Sequence, residues 1–459
     1  MRKLFIANRG EIAVRIIRAA RELGIRTVQA ISAADRDMLS ALLADEVSEV
    51  GPAPATKSYL DAEALVRAAR ATGADAVHPG YGFLAENAAF AEAVERAGLI
   101  FVGPRPETIR LMGDKARARA FAAAAGQAIV PGSEGGSLAA AELLARAREI
   151  GFPLMIKAAA GGGGRGIRIA TTAESLPPLI AEARSEAKAA FADDAIYLER
   201  FLPRARHVEV QVLGDGERVV HLFERECSLQ RRRQKLWEEA PAPSLTGTQR
   251  EALCRSAVQL AEALGYRGAG TLEYLLDEAT GEFFFIEMNT RIQVEHPVTE
   301  MVTGRDLVRE MLAIAAGQPL GLRQDAITLR GHAIECRINA EDPVRGFLPA
   351  PGVVSTLMVP GGPGVRFDSM LYPGCTVPPF YDSLLGKLIV WDETRAEALA
   401  RLRRALVELR IDGIPTTIPA HRLLAAHPDI VGHRVHTRWV EAWLAGHPFA
   451  GTGTETGSR

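Results

Sequence analysis

Apolar and polar positions follow two rhythms along the first hundred residues. Lys3-Leu-Phe-Ile-Ala7 reads as a buried strand and Arg9-Gly10 as a turn. Ile12, Ile16, Ala20 and Leu23 then recur at helical spacing until Gly24 stops the run. Thr27 to Ile31 predicts a second strand, and Asp75-Ala-Val-His-Pro79 a third that leads into Gly80-Tyr-Gly82. Strand, helix and strand in succession predict a parallel sheet covered by helices. The first turn, Asn8-Arg-Gly-Glu11, lacks the spaced glycines of a dinucleotide fingerprint, so the pattern is Rossmann-like without implying NAD.

The texture changes from about Lys115. A glycine run, 161–166, lies between two short apolar stretches. A polar helix (about 173–190), a strand from Ala195 to Leu198 and longer strands with hairpin turns follow. The last third, 332–445, mixes strands, Pro/Gly turns and a terminal helical stretch. Gly451 to Arg459 holds no hydrophobe and reads as a disordered tail. The glycine run formally satisfies G-x-G-x-x-G, but a returning strand follows it instead of a helix, and it has no Gly-Lys-Ser/Thr. Bare backbone N–H groups in such a loop suit either a flap over phosphates or an ordinary surface loop. Lys157 favours the flap: it is the one charge in Phe152-Pro-Leu-Met-Ile-Lys-Ala-Ala-Ala160, and a lysine in a buried strand needs an anionic partner.

Composition narrows the function. The 459 residues carry 54 basic and 56 acidic side chains, a net charge of −2, which leaves no global field for nucleic acid or an anionic membrane. The four cysteines (227, 254, 336, 375) are far apart, arguing against disulfides or zinc and for a reducing cytoplasm. The N-terminus meets charge too early for a signal peptide, and no apolar run spans a bilayer. Seven lysines (3, 57, 115, 157, 188, 235, 387) stand against 47 arginines, so each is worth inspecting; 3, 57, 188 and 387 carry no assigned chemistry.

Thr271-Leu-Glu-Tyr-Leu-Leu276 and Glu282-Phe-Phe-Phe-Ile-Glu-Met-Asn289 flank a hairpin signal, Asp277-Glu-Ala-Thr-Gly281. A turn centred near Thr280 places Glu273 opposite Glu287 and Thr271 opposite Asn289. Carboxylates so placed lie about 5 Å apart at Cβ and repel each other unless a hard cation such as Mg²⁺ or Mn²⁺ joins them. A solvated face, or a slip of one residue, is the alternative. If the chain stays extended, Asn289, Arg291, Gln293 and Glu295 face the same way as Glu287, a set able to hold a small oxyanion and take its proton. Gln230-Arg-Arg-Arg-Gln-Lys235 reads as an exposed basic run, Cys227 as a buried hydrophobe, and His78, His207 and His296 as structural.

These motifs together resemble the biotin carboxylase family over about residues 1–445. The resemblance rests on Ile6-Ala-Asn-Arg-Gly-Glu-Ile-Ala13, His78-Pro-Gly-Tyr-Gly-Phe83, Leu111-Met-Gly-Asp-Lys115 and Tyr266-Arg-Gly-Ala-Gly-Thr271. It rests also on Phe285-Ile-Glu-Met-Asn-Thr-Arg-Ile-Gln-Val-Glu-His296 and Glu335-Cys-Arg-Ile-Asn-Ala-Glu341. It implies an α/β and α+β chain: a Rossmann-like domain (1–114), an ATP-grasp region (115–330, mobile lid about 131–203), a mixed C-terminal domain (331–446) and a tail (447–459). The implied reaction uses ATP to carboxylate biotin with bicarbonate through carboxyphosphate.

By matching position, the resemblance assigns Lys115, Lys157, Gly163 and Gly164 to ATP phosphates, Glu199, Arg200, Phe201 and Leu202 to the adenine hinge, and His207 to ribose. Glu273, Glu287 and Asn289 would hold Mg²⁺ (or Mn²⁺), the two glutamates also counting as ATP contacts. Lys235, Arg291, Gln293 and the Val294 N–H would bind bicarbonate, Glu295 would be the base, Arg337 would stabilise the biotin enolate, and Tyr81 would neighbour biotin. Arg233 replaces the His or Asn usual near an ATP contact, Arg200 the common Lys, and Trp237 a smaller aliphatic residue. No lysine has a Met neighbour and the chain ends early, so biotin is expected on a separate carrier protein, with separate carboxyltransferase subunits. A cytoplasmic homodimer serving acetyl-CoA carboxylase in fatty-acid synthesis is expected; propionyl-CoA, methylcrotonyl-CoA or pyruvate carboxylase are the alternatives. An ATP-grasp amine ligase and a silent docking subunit are more remote ones. Neither nucleic acid nor membrane is expected as a partner.

Overall fold

The computed structural model describes residues 1–133, 140–158, 168–191, 194–446 and 449. Five strands, β1 (Lys3–Ile6), β2 (Arg26–Ser32), β3 (Glu46–Gly51), β4 (Ala76–His78) and β5 (Ile100–Phe101), form a parallel sheet in the order β3-β2-β1-β4-β5. Leu4, Phe5 and Ile6 are all fully buried, as expected for a parallel strand covered on both faces. Helix α1 (Gly10–Glu22) follows β1 and ends just before Gly24, whose φ of +70° suits a left-handed stop.

Strand order reverses on either side of β1, so the crevice where open α/β sheets take ligands lies at the carboxyl ends of β1 and β4. Asn8 ties the two loops there, donating from Nδ2 to the Pro79 carbonyl at 2.6 Å and the Tyr81 carbonyl at 2.8 Å. A Cβ on Gly80 would stand 2.8 Å from that same nitrogen, so only glycine fits.

The chain divides into two compact units, Met1–Asp114 with His207–Glu273 and Glu287–Arg459, and Lys115–Arg206 with Tyr274–Ile286. In the smaller one, β6 (Leu154–Ala158), β7 (Arg168–Ala170) and β8 (Ile196–Arg200) form an antiparallel sheet in the order β7-β6-β8. Helices Ala140–Ile150 and Leu176–Phe191 cover it, with Leu143, Leu154, Ile156, Ile180 and Leu198 in the core. β6 alternates: Leu154, Ile156 and Ala158 are buried, whereas Lys157 lies half-buried on the other face. The glycine run, including Gly163 and Gly164, lies outside the described residues, as does nearly all of the tail.

The larger sheet begins with β9 (Ala205–Asp215), β10 (Val219–Arg231) and β11 (Gln234–Ala240), followed by β12 (Arg267–Asp277), β13 (Phe283–Asn289) and β14 (His332–Asn339). Its order is β13-β12-β9-β10-β11-β14, then Leu384–Asp392 and Val365–Ser369. The predicted hairpin is present, but at the turn its register is one residue off: Asp277 N–H donates to Glu282 O at 2.8 Å, where a pairing that set Glu273 opposite Glu287 would put Asp277 opposite Phe283. The basic run 230–235 forms the β10–β11 turn, with Arg232 and Arg233 both at positive φ (+48° and +66°), as a two-residue hairpin demands. Arg232 and Arg233 are exposed there, but Arg231 is buried over the Phe347 ring. No helix among the described residues is long and apolar enough to cross a membrane.

Candidate functional site

Period-two alternation builds the site. His207, Glu209 and Gln211 on β9 alternate with Val208, Val210 and Val212, yet all six are buried. Arg225 on β10 stands opposite Glu209 in register, and both are fully buried. The Arg225 guanidinium donates to Glu209 Oε1 (2.7 Å), Gln211 Oε1 (2.8 Å), and the Thr271 and Thr299 hydroxyls (3.0 Å each). This clamp orients Glu209, whose other oxygen accepts from Lys235 Nζ at 2.6 Å.

Lys235 also donates to Glu273 Oε1 (3.0 Å) and Glu295 Oε1 (2.6 Å). Burial works to lower its pKa, but Glu209, Glu273 and Glu295 outweigh that and hold it well above the ordinary lysine value. Arg337 on β14 grips the other oxygen of Glu295, Nη2 to Oε2 at 2.8 Å, and donates from Nε to Glu238 Oε1 at 2.6 Å. Burial acts to raise the Glu295 pKa; Lys235, Arg337 and Arg225 pull it well below the carboxylate range instead.

The expected extended run past Glu287 stops at Asn289, where β13 ends. The chain then bends, and Glu295 becomes the residue before helix His296–Thr303. Asn289, Arg291 and Gln293 still converge, through hydrogen bonds instead of strand alternation. Arg291 donates to Asn289 Oδ1 and Gln293 Oε1, each at 2.9 Å, and Asn289 and Gln293 donate to Glu273 Oε1 at 2.9 and 3.1 Å. Arg291 Nε is anchored on Glu86 at 2.9 Å. His207 Nε2 lies 2.9 Å from Glu273 Oε2. Glu287 is half-buried on the neighbouring strand. Lys235, Asn289 and Gln293 engage one Glu273 oxygen and His207 the other, and Arg291 donates to the Asn289 amide oxygen, so a hard cation such as Mg²⁺ would have to displace these partners.

Tyr81 donates its hydroxyl to Glu11 Oε1. Burial, then the Glu11 charge, pushes the phenol well above its ordinary pKa. Lys387 is fully buried and bridges Glu11 Oε1 (3.0 Å) and the Val294 carbonyl (2.9 Å), fixing the peptide that precedes Glu295. Its role was missed in the sequence although Leu384-Leu-Gly-Lys-Leu-Ile-Val390 carries the signal that singled out Lys157, one charge in an apolar strand. Glu209 and Arg225 were missed because alternating polar residues on a strand read as a solvated face. His207, Glu209 and Cys227 bring ligand atoms within 4.8 Å of one another, but Arg225 and Lys235 occupy Glu209, and burial raises the Cys227 thiol well above its ordinary value.

In the smaller unit Lys115 is exposed at the start of helix Lys115–Ala124. Lys157 Nζ pairs with Glu199 Oε2, and Arg119 holds the other oxygen at 2.9 Å. Glu199 is the anionic partner that the sequence pattern demanded. The N–H groups of Arg200 and Phe201 are engaged by Pro131 O (2.8 Å) and Pro153 O (2.9 Å), and Leu202 is buried.

Three family models match in order: the biotin carboxylase N-terminal domain (1–109), the carbamoyl-phosphate synthase L chain ATP-binding domain (114–323) and the biotin carboxylase C-terminal domain (335–442). A biotin carboxylase of Pseudomonas aeruginosa is 56% identical over 97% of this chain and 99% of its own length. A Campylobacter jejuni biotin carboxylase solved as a β,γ-ATP complex is 44% identical, with a TM-score of 0.90 over 96% of this chain and 98% of that one. The biotin carboxylase subunit of a pyruvate carboxylase is 47% identical, with a TM-score of 0.86 over 96% and 98%. The chain belongs to the biotin carboxylase family, ATP-grasp ligases that carboxylate biotin at the expense of ATP.

Proposed function

We propose that this chain carries out the first half-reaction of acetyl-CoA carboxylase, carboxylating biotin presented on a separate carrier protein. The observation that carries the site assignment is the carboxylate of Glu295 held between Lys235 and Arg337 beside the Arg291–Gln293–Glu273 cluster. Lys235, Arg291, Gln293 and the Val294 N–H bind bicarbonate, and Glu295 takes its proton. In the resting arrangement Glu295 is a weak base because two cations stabilise its anion. Bicarbonate drawing Lys235 away, and an enolate drawing Arg337 away, each raise its basicity where the proton is to be accepted. Arg337 supplies the charge that stabilises the biotin enolate, and Tyr81 lies against the ring.

Glu273, Glu287 and Asn289 hold Mg²⁺ or Mn²⁺, which neutralises phosphate charge when bound. His207 serves the ribose. Lys115 and Lys157 serve ATP phosphates, with Lys157 exchanging Glu199 for the nucleotide, and Glu199 to Leu202 line the adenine. Arg233, at an exposed turn, has little to support a nucleotide contact.

Similarity to biotin carboxylases over nearly all of their own length supports a separate carrier. Four buried free cysteines fit a reducing cytoplasm. Full-length similarity to stand-alone biotin carboxylases supports the acetyl-CoA carboxylase setting; the pyruvate carboxylase relative is the competing reading. Affinity capture from the native cell with mass spectrometry decides between them. Co-purification of a biotin carrier with acetyl-CoA carboxyltransferase subunits is expected, and a pyruvate-type transferase alone overturns the assignment. Free biotin stimulating bicarbonate-dependent ADP release tests the half-reaction itself.

A further inference from the structure

β11 and β14 pair so that Glu238 stands directly opposite Glu335. Both side chains are fully buried. Side chains opposed in this way have Cβ atoms about 5 Å apart. Glu238 Oε1 accepts from Arg337 Nε at 2.6 Å, whereas Glu238 Oε2 and both oxygens of Glu335 have no hydrogen-bond partner among the described residues. An ionised carboxylate buried without partners is strongly unfavourable, and two facing each other are worse.

The surrounding cations oppose this but do not outweigh burial. Arg337, on β14 itself, divides its guanidinium between Glu238 and Glu295. Lys387, opposite Arg337 on the next strand, is committed to Glu11 and the Val294 carbonyl. Lys235, on β11, is shared among Glu209, Glu273 and Glu295. His296, on the helix packed against β14, is kept neutral, by burial first and then by Lys387, Arg15 and Arg366. Among the described residues no cation hydrogen-bonds Glu335.

We propose that Glu238 and Glu335 hold one proton between them at neutral pH, with Glu335 a neutral carboxylic acid and Glu238 the anion that positions Arg337. Burial pushes both carboxyls up from the ordinary range, and a coupled pair of this kind titrates as a unit. The proton has a use that rests on the enolate role of Arg337. A guanidinium facing three carboxylates would repel an incoming anion; removing one of those charges weakens that repulsion, while Glu238 fixes the guanidinium plane. Glu238 is thus the positioning residue, and Glu335 holds the proton without touching Arg337.

Two variants of the full chain test this. A raised folded-state pKa means that the stability contributed by Glu335 is present below the ordinary carboxylate range and lost as pH rises through the folded value. Glu335→Gln removes that loss, so its Tm relative to wild type climbs between about pH 5 and about pH 8. A relative Tm that falls or stays flat over this range overturns the shared proton. Should Glu335→Gln fail to fold, the wild-type infrared spectrum decides: a carboxylic-acid carbonyl band persisting through neutral pH supports the pair, and its absence overturns it. For positioning, Glu238→Gln is expected to lower biotin-dependent turnover at least about tenfold with ATP KM within about twofold, whereas Glu335→Gln keeps most of its neutral-pH turnover. Equal losses in the two variants, or a matching rise in ATP KM, overturn the positioning role. If wild type shows no biotin-stimulated ADP release, the functional reading fails while the stability arm still decides the proton.

Discussion

Lys235 Nζ meets Glu295 Oε1 at 2.6 Å, with the carboxylate fully buried and the lysine side chain only 12% exposed. A cation so placed makes Glu295 easy to ionise and poor at taking a proton. If Glu295 is the base, as proposed above, the pair is a resting state that substrate has to open.

Replacing Lys235 by Met leaves Arg337 as the direct cationic partner of Glu295, so the Glu295 pKa moves back up toward the carboxylate range. Glu295 is depressed in the folded protein, so its ionised form is lost only as pH falls through that low value. The acid limb of the wild-type pH–rate profile should lie below the ordinary carboxylate range and move upward in Lys235→Met. Turnover should fall by about 10²-fold or more. A limb that does not move removes Glu295 as the titrating base.

Glu287→Gln should abolish Mg-ATP turnover, because a neutral amide takes the place of a charged oxygen donor in the metal set. Titration of activity with Mg²⁺ and Mn²⁺ checks this. Near-normal turnover at ordinary metal concentration would show that Glu287 is not a ligand.

Arg337→Ala strips Glu238 and Glu295 of a partner inside the protein. Breaking a buried pair in this way costs about 3–5 kcal/mol, readable as a lowered Tm. Biotin-dependent turnover should fall far more than ATP affinity, as measured by nucleotide binding. Equal losses would assign Arg337 to the nucleotide.

Lys157→Met should be milder on stability, because Glu199 keeps Arg119 at 2.9 Å. The expected effect is a rise in ATP KM of at least about tenfold with the fold intact. An unchanged KM would leave Lys157 a structural partner of Glu199 and nothing more.

Local pattern alone was enough for the N-terminal strands, the helix ending near Gly24 and the hairpin around Thr280, because each depends on spacing within a few residues. It also singled out Lys157 and the carboxylate Glu273, whereas the motif matches were needed to name Lys115, Lys235, Asn289, Arg291, Glu295 and Arg337 with their roles. Partner choice lay beyond it. Glu199 is 42 residues from Lys157, and Glu238 is 99 from Arg337. Only the register of antiparallel strands and the bend after Asn289 bring such residues together. Burial was equally hidden: His207, Glu209 and Gln211 alternate as a solvated strand would, and tertiary packing covers them. Lys387 shows the same division, since its apolar strand was legible but Glu11 and Val294 were not. The sequence by itself thus determined the elements and the chemical inventory. The tertiary structure decided which charges meet in the interior, because only strand register and packing bring together residues so far apart in the chain.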